Sequence, residues 1–477
     1  MGRTKKKPLP LLEKLEIVKS GAEGKSLAYY NEKVVFVPFT APGDVADVQI
    51  THKKSKYLEG KAVRFHQFSA LRTEPKCSHY GLCGGCKWQH IDYTHQAELK
   101  EQQVKDHFKR IGKVEVGSYL PIIRSEEIYY YRNKLEFTFT DRRWLTQLDT
   151  PAAEGGPLHT QGLGFHLPGM FNKVLDIEHC YLQPDPSNDI RLAIKAYAVE
   201  KGLDFYNLHT GEGFLRNVVI RTTTTGDLMV IVVFKYDDTI IAEMLNWLAD
   251  RIPQITSLMY VVNEKLNDII TDLEIQLFKG NPWVMERMEP PVTGLPDLNF
   301  KVGPISFYQT NPKQAKRLYQ AAFDLAEFKG NELVYDLYTG TGTIAAFIAR
   351  SVAKVVGIEY IEEAIVDARV NAELNNISNI TFLSGDMARV LDRNFVKQHG
   401  KPDVVITDPP RAGMHDRVIA QLLDMEPEKI VYISCNPATQ ARDVSLLASK
   451  YEAVTAQPVD MFPQTQHVEN VVLLLKK

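Results

Sequence analysis

Between residues 332 and 475, short β-branched apolar runs alternate with helix-length amphipathic segments, and no other feature of the chain constrains its fold so tightly. The runs are Glu332-Leu-Val-Tyr-Asp-Leu-Tyr, Lys354-Val-Val-Gly-Ile-Glu, Asn379-Ile-Thr-Phe-Leu, Asp403-Val-Val-Ile-Thr-Asp and Lys429-Ile-Val-Tyr-Ile-Ser. Helices are predicted between them over 343–350, 362–375, 416–423 and 437–450, with closing strands at 451–458 and 470–475. Such an alternation predicts an α/β architecture built on a doubly wound parallel sheet. Ligands of these sheets bind outside the carboxyl edge of the strands, so the strand ends are where chemistry is expected.

Those ends carry reactive groups. Residues 430–437 read I-V-Y-I-S-C-N-P, which places Cys435 where a buried strand surfaces. A lone cysteine there could serve as a small core hydrophobe, but other strand ends point to the same edge. Asp336-Leu-Tyr338-Thr-Gly340-Thr-Gly342-Thr343 joins the first strand to a helix; its glycines admit a ligand close to the backbone, and its acid can hold an amine or a hydroxyl. Glu359 ends the second strand about twenty residues on, where an acid can take both ribose hydroxyls. Asp386 ends the third, placed to accept from an adenine amine. Three acids without a phosphate-binding lysine suit a nucleoside with a cationic, amine-bearing tail, S-adenosyl-L-methionine, better than NAD or ATP. The fourth strand ends in Asp408-Pro-Pro-Arg411, whose prolines fix the backbone under Asp408. Amino-directed methyltransferases place an aromatic after such prolines, so Arg411 speaks against N-methylation. A thiolate at Cys435 has a natural task on a pyrimidine: addition at C6 turns C5 into an enolate carbon that can accept a methyl group.

At 477 residues the chain is too long for one ordinary domain, and its 44% hydrophobic and 24% charged residues are those of a water-soluble globular protein. The N-terminus lacks the apolar region of a secretory signal and no run is long enough to span a membrane, so a cytoplasmic protein is expected. The net charge of −3 is unevenly divided: residues 1–110 hold 20 lysines and arginines against 12 acids, +8, which leaves −11 for the remainder. After a basic tail, five strand-like stretches up to residue 66 predict an OB-like β-barrel, with the His52-Lys53-Lys54-Ser55-Lys56 loop offering phosphate contacts. Five cysteines argue against a disulfide framework. Cys77, Cys83 and Cys86 cluster on a glycine-rich stretch and Cys180 follows at a distance, a set that suits a fully ligated [4Fe–4S] centre, with zinc as the alternative. A polar helix is predicted over 93–112 with Leu99, Gln103, Phe108 and Ile111 as its apolar stripe. Residues 120–300 read as an α+β region, in which Tyr129-Tyr-Tyr-Arg132-Asn-Lys134 offers either RNA-stacking rings or a half-buried strand.

Taken together these residues closely resemble the RNA uracil-C5 methyltransferase family. The marks are Phe307-Tyr308-Gln309, Asp336-Leu-Tyr338-Thr-Gly340-Thr-Gly342, Asp408-Pro-Pro-Arg411, Ser434-Cys435-Asn436 and His467-Val-Glu469, with the C-x5-C-x2-C cluster. The resemblance implies a TRAM-like barrel over 1–66 and an α+β central domain over 67–92 and 118–300. It implies a Rossmann-like class I methyltransferase domain over 93–117 and 301–477, with the 93–112 helix packed on it. It implies Cys435 as nucleophile, Glu469 as the base that removes the C5 proton, and Gln309, Tyr338, Thr343, Glu359, Asp386 and Asp408 around S-adenosyl-L-methionine and the target base. It maps the cluster ligands onto Cys77, Cys83, Cys86 and Cys180. Thr339 and Thr343 depart from the Cys and Asn that the family often has in the glycine loop. The cluster and the barrel favour an enzyme acting on 23S ribosomal RNA over the smaller transfer-RNA enzyme, which lacks both; a monomer is expected. The alternatives are a transfer-RNA substrate, another pyrimidine position, or an RNA-binding assembly factor with a retired methyltransferase scaffold.

Overall fold

The computed structural model describes residues 9–146 and 160–477, so the basic tail at 1–8 lies outside the described residues. The chain divides into two compact units, Met1–Gln102 with Phe462–Gln466, and Gln103–Met461 with His467–Lys477.

In the first unit six strands, Leu11–Glu16, Lys19–Ser20, Ser26–Tyr30, Lys33–Val37, Val45–Lys53 and Tyr57–Gln67, form one sheet. Its two edge strands, Leu11–Glu16 and Lys19–Ser20, are neighbours in the chain. Ile17 N–H donates to Asp44 O and Val18 N–H to Leu27 O, so the continuous stretch from Leu11 to Ser20 pairs with Val45–Lys53 at its start and with Ser26–Tyr30 at its end, closing the barrel. Alternate residues point inward as strand geometry demands: Val35 and Val37, then Ala46, Val48 and Ile50, are buried. The basic loop from His52 to Lys56 is exposed throughout.

The predicted polar helix forms over Tyr93–His107 and continues as a π-turn over Phe108–Gly112. Of the expected stripe Phe108 is buried and Leu99 packs half-buried against Trp88 and Ile91, whereas Ile111 is 49% exposed and Ala97, Lys100 and Val104 complete the buried face. The π-turn shifts the helical phase after Phe108, so i+3 spacing from that residue no longer reaches the buried face.

In the second unit a seven-stranded sheet runs in the order Met170–Asp176, Gly162–Leu167, Lys134–Thr140, Leu215–Thr222, Leu228–Phe234, Ser257–Val262, Gln276–Gly280. Helices Ser187–Glu200 and Ile240–Arg251 pack on one face around Phe137, Ile194, Val230 and Leu245. A hairpin, Val284–Met288 with Leu298–Val302, follows.

The eight-stranded sheet is the expected doubly wound one. Its order is Ile380–Ser384, Lys354–Glu359, Leu333–Leu337, Val404–Thr407, Lys429–Ser434, Glu469–Lys476, Tyr451–Val459, Val116–Tyr119. The first five strands are parallel, and Glu469–Lys476 enters antiparallel between Lys429–Ser434 and Tyr451–Val459. Strand order reverses between Leu333–Leu337 and Val404–Thr407, the switch point at which a crevice opens. The edge strand Val116–Tyr119 pairs parallel with Tyr451–Val459, although more than two hundred residues separate it from Leu333–Leu337, the first of the parallel strands. Phe108–Gly112 lies against helix Pro437–Leu447: a Cβ on Gly112 would stand 2.8 Å from Ala441 O. Helix Pro312–Ala326 was not anticipated, though Asn311 as N-cap and Pro312 at its first position are the standard start signal.

Candidate active site

Strand register brings Cys435 and Glu469 to one end of the sheet. Lys429–Ser434 and Glu469–Lys476 are antiparallel with Ser434 opposite Asn470, so the next residues, Cys435 and Glu469, flank this last pair, and the charge of Glu469 acts on the Cys435 thiol. Gln440 locks this junction: its Nε2 donates to Tyr432 O at 2.8 Å and to Asn470 O at 3.0 Å, while its Oε1 accepts from Asn470 Nδ2 at 2.8 Å. A one-residue slip would turn Glu469 to the other face of the sheet.

The Asp408 loop is stitched to the same point. Asn436 caps helix Pro437–Leu447 through Ala438 N–H at 3.2 Å, and its Nδ2 donates to Arg411 O at 2.9 Å. Thr439 Oγ1 donates to the same carbonyl at 3.2 Å. Gly413, at φ 81°, turns the loop against Asp443, whose Oδ2 accepts from Met414 N–H at 2.8 Å and from Tyr432 Oη at 2.7 Å. The loop between Asp408 and the cysteine is thus bonded rather than free.

Electrostatically the site is a pocket of suppressed anions. Burial, then the charges of Glu469 and Asp408, push the Cys435 thiol up to about 11, with Arg411 opposing. Burial and Asp408 push Glu469 up to about 8, again opposed by Arg411. Asp408 rises to about 7 through burial and the charge of Asp336, and Asp336 itself rises to about 7, chiefly through burial. A carboxyl near 8 is well matched to accept a proton at neutral pH. Sequence reading missed Tyr319, on helix Pro312–Ala326. This buried phenol bonds the Gln309 side chain and feels the charges of Asp408, Asp336 and Glu469, so burial and those acids hold it far above its ordinary range. The N-cap and proline before its helix were the available signal.

The glycine loop and its acids surround the crevice. Tyr338 adopts φ 64°, a left-handed conformation that costs a non-glycine residue about 1–3 kcal/mol and concentrates at functional sites. Its phenol, raised to about 12 by burial and by Asp443, Asp386 and Glu359, lies among those acids. Gly342, at φ 77°, opens helix Thr343–Ala349, and a Cβ there would strike Phe382 at 2.8 Å. Thr343 is buried at the start of that helix, 3.3 Å from Thr341 Oγ1. Glu359 accepts from the amides of Gly340 at 3.1 Å, Tyr360 at 2.8 Å and Ile361 at 3.1 Å, which fixes its orientation and leaves further lone pairs for a ligand. Asp386 caps helix Met387–Val390 through Ala388 N–H at 3.0 Å and pairs with Arg389 at 3.4 Å. Oδ1 of Asp336 is buried without a partner, an acceptor suited to an ammonium tail.

Cys77, Cys83, Cys86, Cys180 and Cys435 are all half-buried. Cys77, Cys83 and Cys86 belong to the first unit and Cys180 to the second. Among the described residues no three His, Cys, Asp or Glu side chains are grouped as a metal site. The donor chemistry of the loop does fit thiolate ligation. Backbone amides of His79 and Tyr80 donate to Cys77, whose thiol burial nonetheless raises, and Gly85 N–H points at Cys83 Sγ from 3.4 Å.

Comparison with known proteins agrees with this geometry. The tRNA (Uracil-5-)-methyltransferase family matches residues 291–477, and the TRAM domain matches residues 14–63. An RNA methyltransferase of Bacteroides thetaiotaomicron is 53% identical over 457 residues, covering 95% of this chain and 99% of its own. One from Porphyromonas gingivalis is 52% identical over 469 residues, covering 97% and 99%. The solved structure of the Pyrococcus abyssi tRNA (uracil-54, C5)-methyltransferase in complex with S-adenosyl-L-homocysteine is 29% identical. It covers 97% of this chain and 99% of its own, with a TM-score of 0.73. With the catalytic sheet, the barrel and nearly the full length matched, the chain belongs to the RNA uracil-5-methyltransferase family and carries that family's TRAM domain.

Proposed function

We propose that the protein methylates C5 of a uridine in RNA, with 23S ribosomal RNA as the substrate, through covalent addition of Cys435 to C6. The observation that carries this reading is the register ending with Ser434 opposite Asn470, which brings the neighbouring Cys435 and Glu469 to one end of the sheet, where the charge of Glu469 acts on the thiol. S-adenosyl-L-methionine, when bound, supplies the methyl group. Gln309, Tyr338, Thr343, Glu359, Asp386 and Asp408 would hold it and the target base. Cys435, once deprotonated, adds to C6 and makes C5 nucleophilic; after methylation Glu469 removes the C5 proton and the Cys435–C6 bond breaks. Arg411 is the cation that favours the ionised forms of both residues. The target base must leave its stack to reach Cys435, so a loop or other single-stranded site is the expected substrate.

On this reading residues 1–66 form the RNA-binding barrel, 67–92 with 118–300 the central domain, and 93–117 with 301–477 the catalytic domain. The enzyme acts as a cytoplasmic monomer; no described helix is long and apolar enough to cross a membrane. Cys77, Cys83, Cys86 and Cys180 are read as ligands of a structural [4Fe–4S] centre. Iron and sulfide assays on anaerobically purified protein test this, since stoichiometric zinc without sulfide would overturn it.

A transfer-RNA substrate is the second reading. Barrel-bearing architecture does not separate the two branches as expected, because the Pyrococcus abyssi enzyme, named for transfer RNA, aligns over 97% of this chain. Intact-mass analysis with 5-fluorouridine-substituted ribosomal and transfer RNA decides between them. Fluorine cannot leave C5 as a proton, so the true substrate should remain attached, methylated, to wild-type protein and not to Cys435→Ala. Absence of an adduct with either RNA, despite tight RNA binding, would favour the assembly-factor alternative.

A further inference from the structure

The segment that carries Gln309 has almost no regular structure, yet nearly every residue of it is tied down. Arg221 Nη2 donates to Ser306 O at 3.1 Å, and Ser306 Oγ donates to Asp367 Oδ2 at 2.6 Å. Thr341 Oγ1 donates to Phe307 O at 3.3 Å. Asn133 donates from its side chain to Gln309 O at 3.2 Å and from its backbone to Thr310 O at 2.8 Å. Asn311 Nδ2 donates to Met461 O at 3.0 Å.

Two of these holding groups, Asn133 at 4% and Arg221 at 2% exposure, come from outside the doubly wound sheet and are buried, and Glu286, at 1%, is buried behind them. Glu286 accepts from Thr224 Oγ1 at 2.6 Å and from the Asn133 side chain, and its charge acts on Arg221. Asn133 and Glu286 thus share a bond, and Arg221 and Asn133 grip the segment at its two ends. Within this set Arg221 Nη1, Asn133 Oδ1 and Tyr308 Oη have no hydrogen-bond partner. Buried ionic groups with unspent bonding capacity are poor stabilisers compared with apolar residues of similar volume. Their placement makes sense as geometry. What the clamp leaves outward is Phe307, 68% exposed, and the Gln309 side chain, which reaches Tyr319 in the acid cluster.

We propose that Asn133, Arg221 and Glu286 are positioning residues that clamp residues 306–311 and so aim Gln309 into the active site. The central region is then part of the catalytic machinery rather than only an RNA platform. This rests on the reading that Gln309 serves methyl transfer.

Asn133→Ala deletes one bond to the segment and leaves the backbone bond to Thr310. Amide exchange over residues 306–311 is expected to quicken about tenfold, with the thermal midpoint unchanged beyond a few degrees. kcat/KM for S-adenosyl-L-methionine should fall about 100-fold, while overall RNA affinity holds. In a Gln309→Ala background the same substitution should cost nothing further, because both act through one group. Arg221→Met, which keeps the buried volume, should behave alike. Unchanged exchange over 306–311 overturns the clamp, and losses that multiply in the double variant overturn its action through Gln309. Failure of the wild type to methylate any RNA would refute the proposed function instead, while exchange would still read the clamp.

Discussion

Glu469→Gln separates the two halves of the proposed reaction. The substitution keeps shape and removes both the buried acid and its charge. Cys435 lies at about 11 against an ordinary 9.0, so its thiolate costs about 3 kcal/mol more than a free one. Burial is the largest cause and the charge of Glu469 the next, so the variant thiol should titrate lower. Iodoacetamide alkylation of Cys435 as a function of pH measures that shift in the absence of RNA. With RNA and S-adenosyl-L-methionine, addition and methyl transfer should proceed while proton removal from C5 stalls. Turnover should fall about 100- to 10,000-fold, the range for loss of a general base. A methylated RNA–protein adduct should accumulate on ordinary uridine RNA and be visible by denaturing gel and intact mass. Loss of turnover without any adduct would refute Glu469 as the elimination base, and an alkylation midpoint that moves up would refute the electrostatic account of the thiol.

Asp336 bears on stability. Its folded value of about 7 lies above the ordinary 3.8, so the folded state holds the proton more tightly than the unfolded one. Stability should therefore be full below about pH 4 and fall as pH rises towards 7, by up to about 4 kcal/mol. Asp336→Asn should flatten that slope, measured by denaturant unfolding at pH 5 and pH 8. Gly342→Ala forces a side chain onto φ 77° and against Phe382, and should lower stability by about 1–3 kcal/mol while abolishing binding of S-adenosyl-L-homocysteine in calorimetry. Replacing Lys53, Lys54 and Lys56 with alanine should reduce the slope of log affinity against log salt by about 2 in RNA filter binding, if each meets one phosphate of a single strand.

The catalytic sheet was legible because its information is local. Each run such as Lys354–Glu359 is β-branched and apolar, each is followed by a helical period, and that alternation admits few topologies. Strand ends follow from the same pattern, so Cys435, Asp408 and Glu359 could be placed on one edge without coordinates. The barrel strands declared themselves equally through i, i+2 burial at Val35, Val37, Val48 and Ile50.

Other features depend on partners distant in the chain. Whether Glu469 faces Cys435 is decided by an antiparallel register across 34 positions, as the pairing of Ser434 with Asn470 shows; no local pattern carries it. The raised acids are a matter of depth, since burial, which only packing creates, is the first cause for Asp336, Asp408 and Glu469. Tyr319 meets Gln309 only because its helix packs back onto the sheet, and Asn133 and Arg221, with Glu286 bonded behind Asn133, reach one segment from separate stretches of chain. Composition and period therefore marked Cys435 and the strand-end acids as candidates, while the roles of Glu469 and Gln309 came from the family resemblance. Only the tertiary structure decided which of them meet and in what charge state, because pairing and desolvation are non-local.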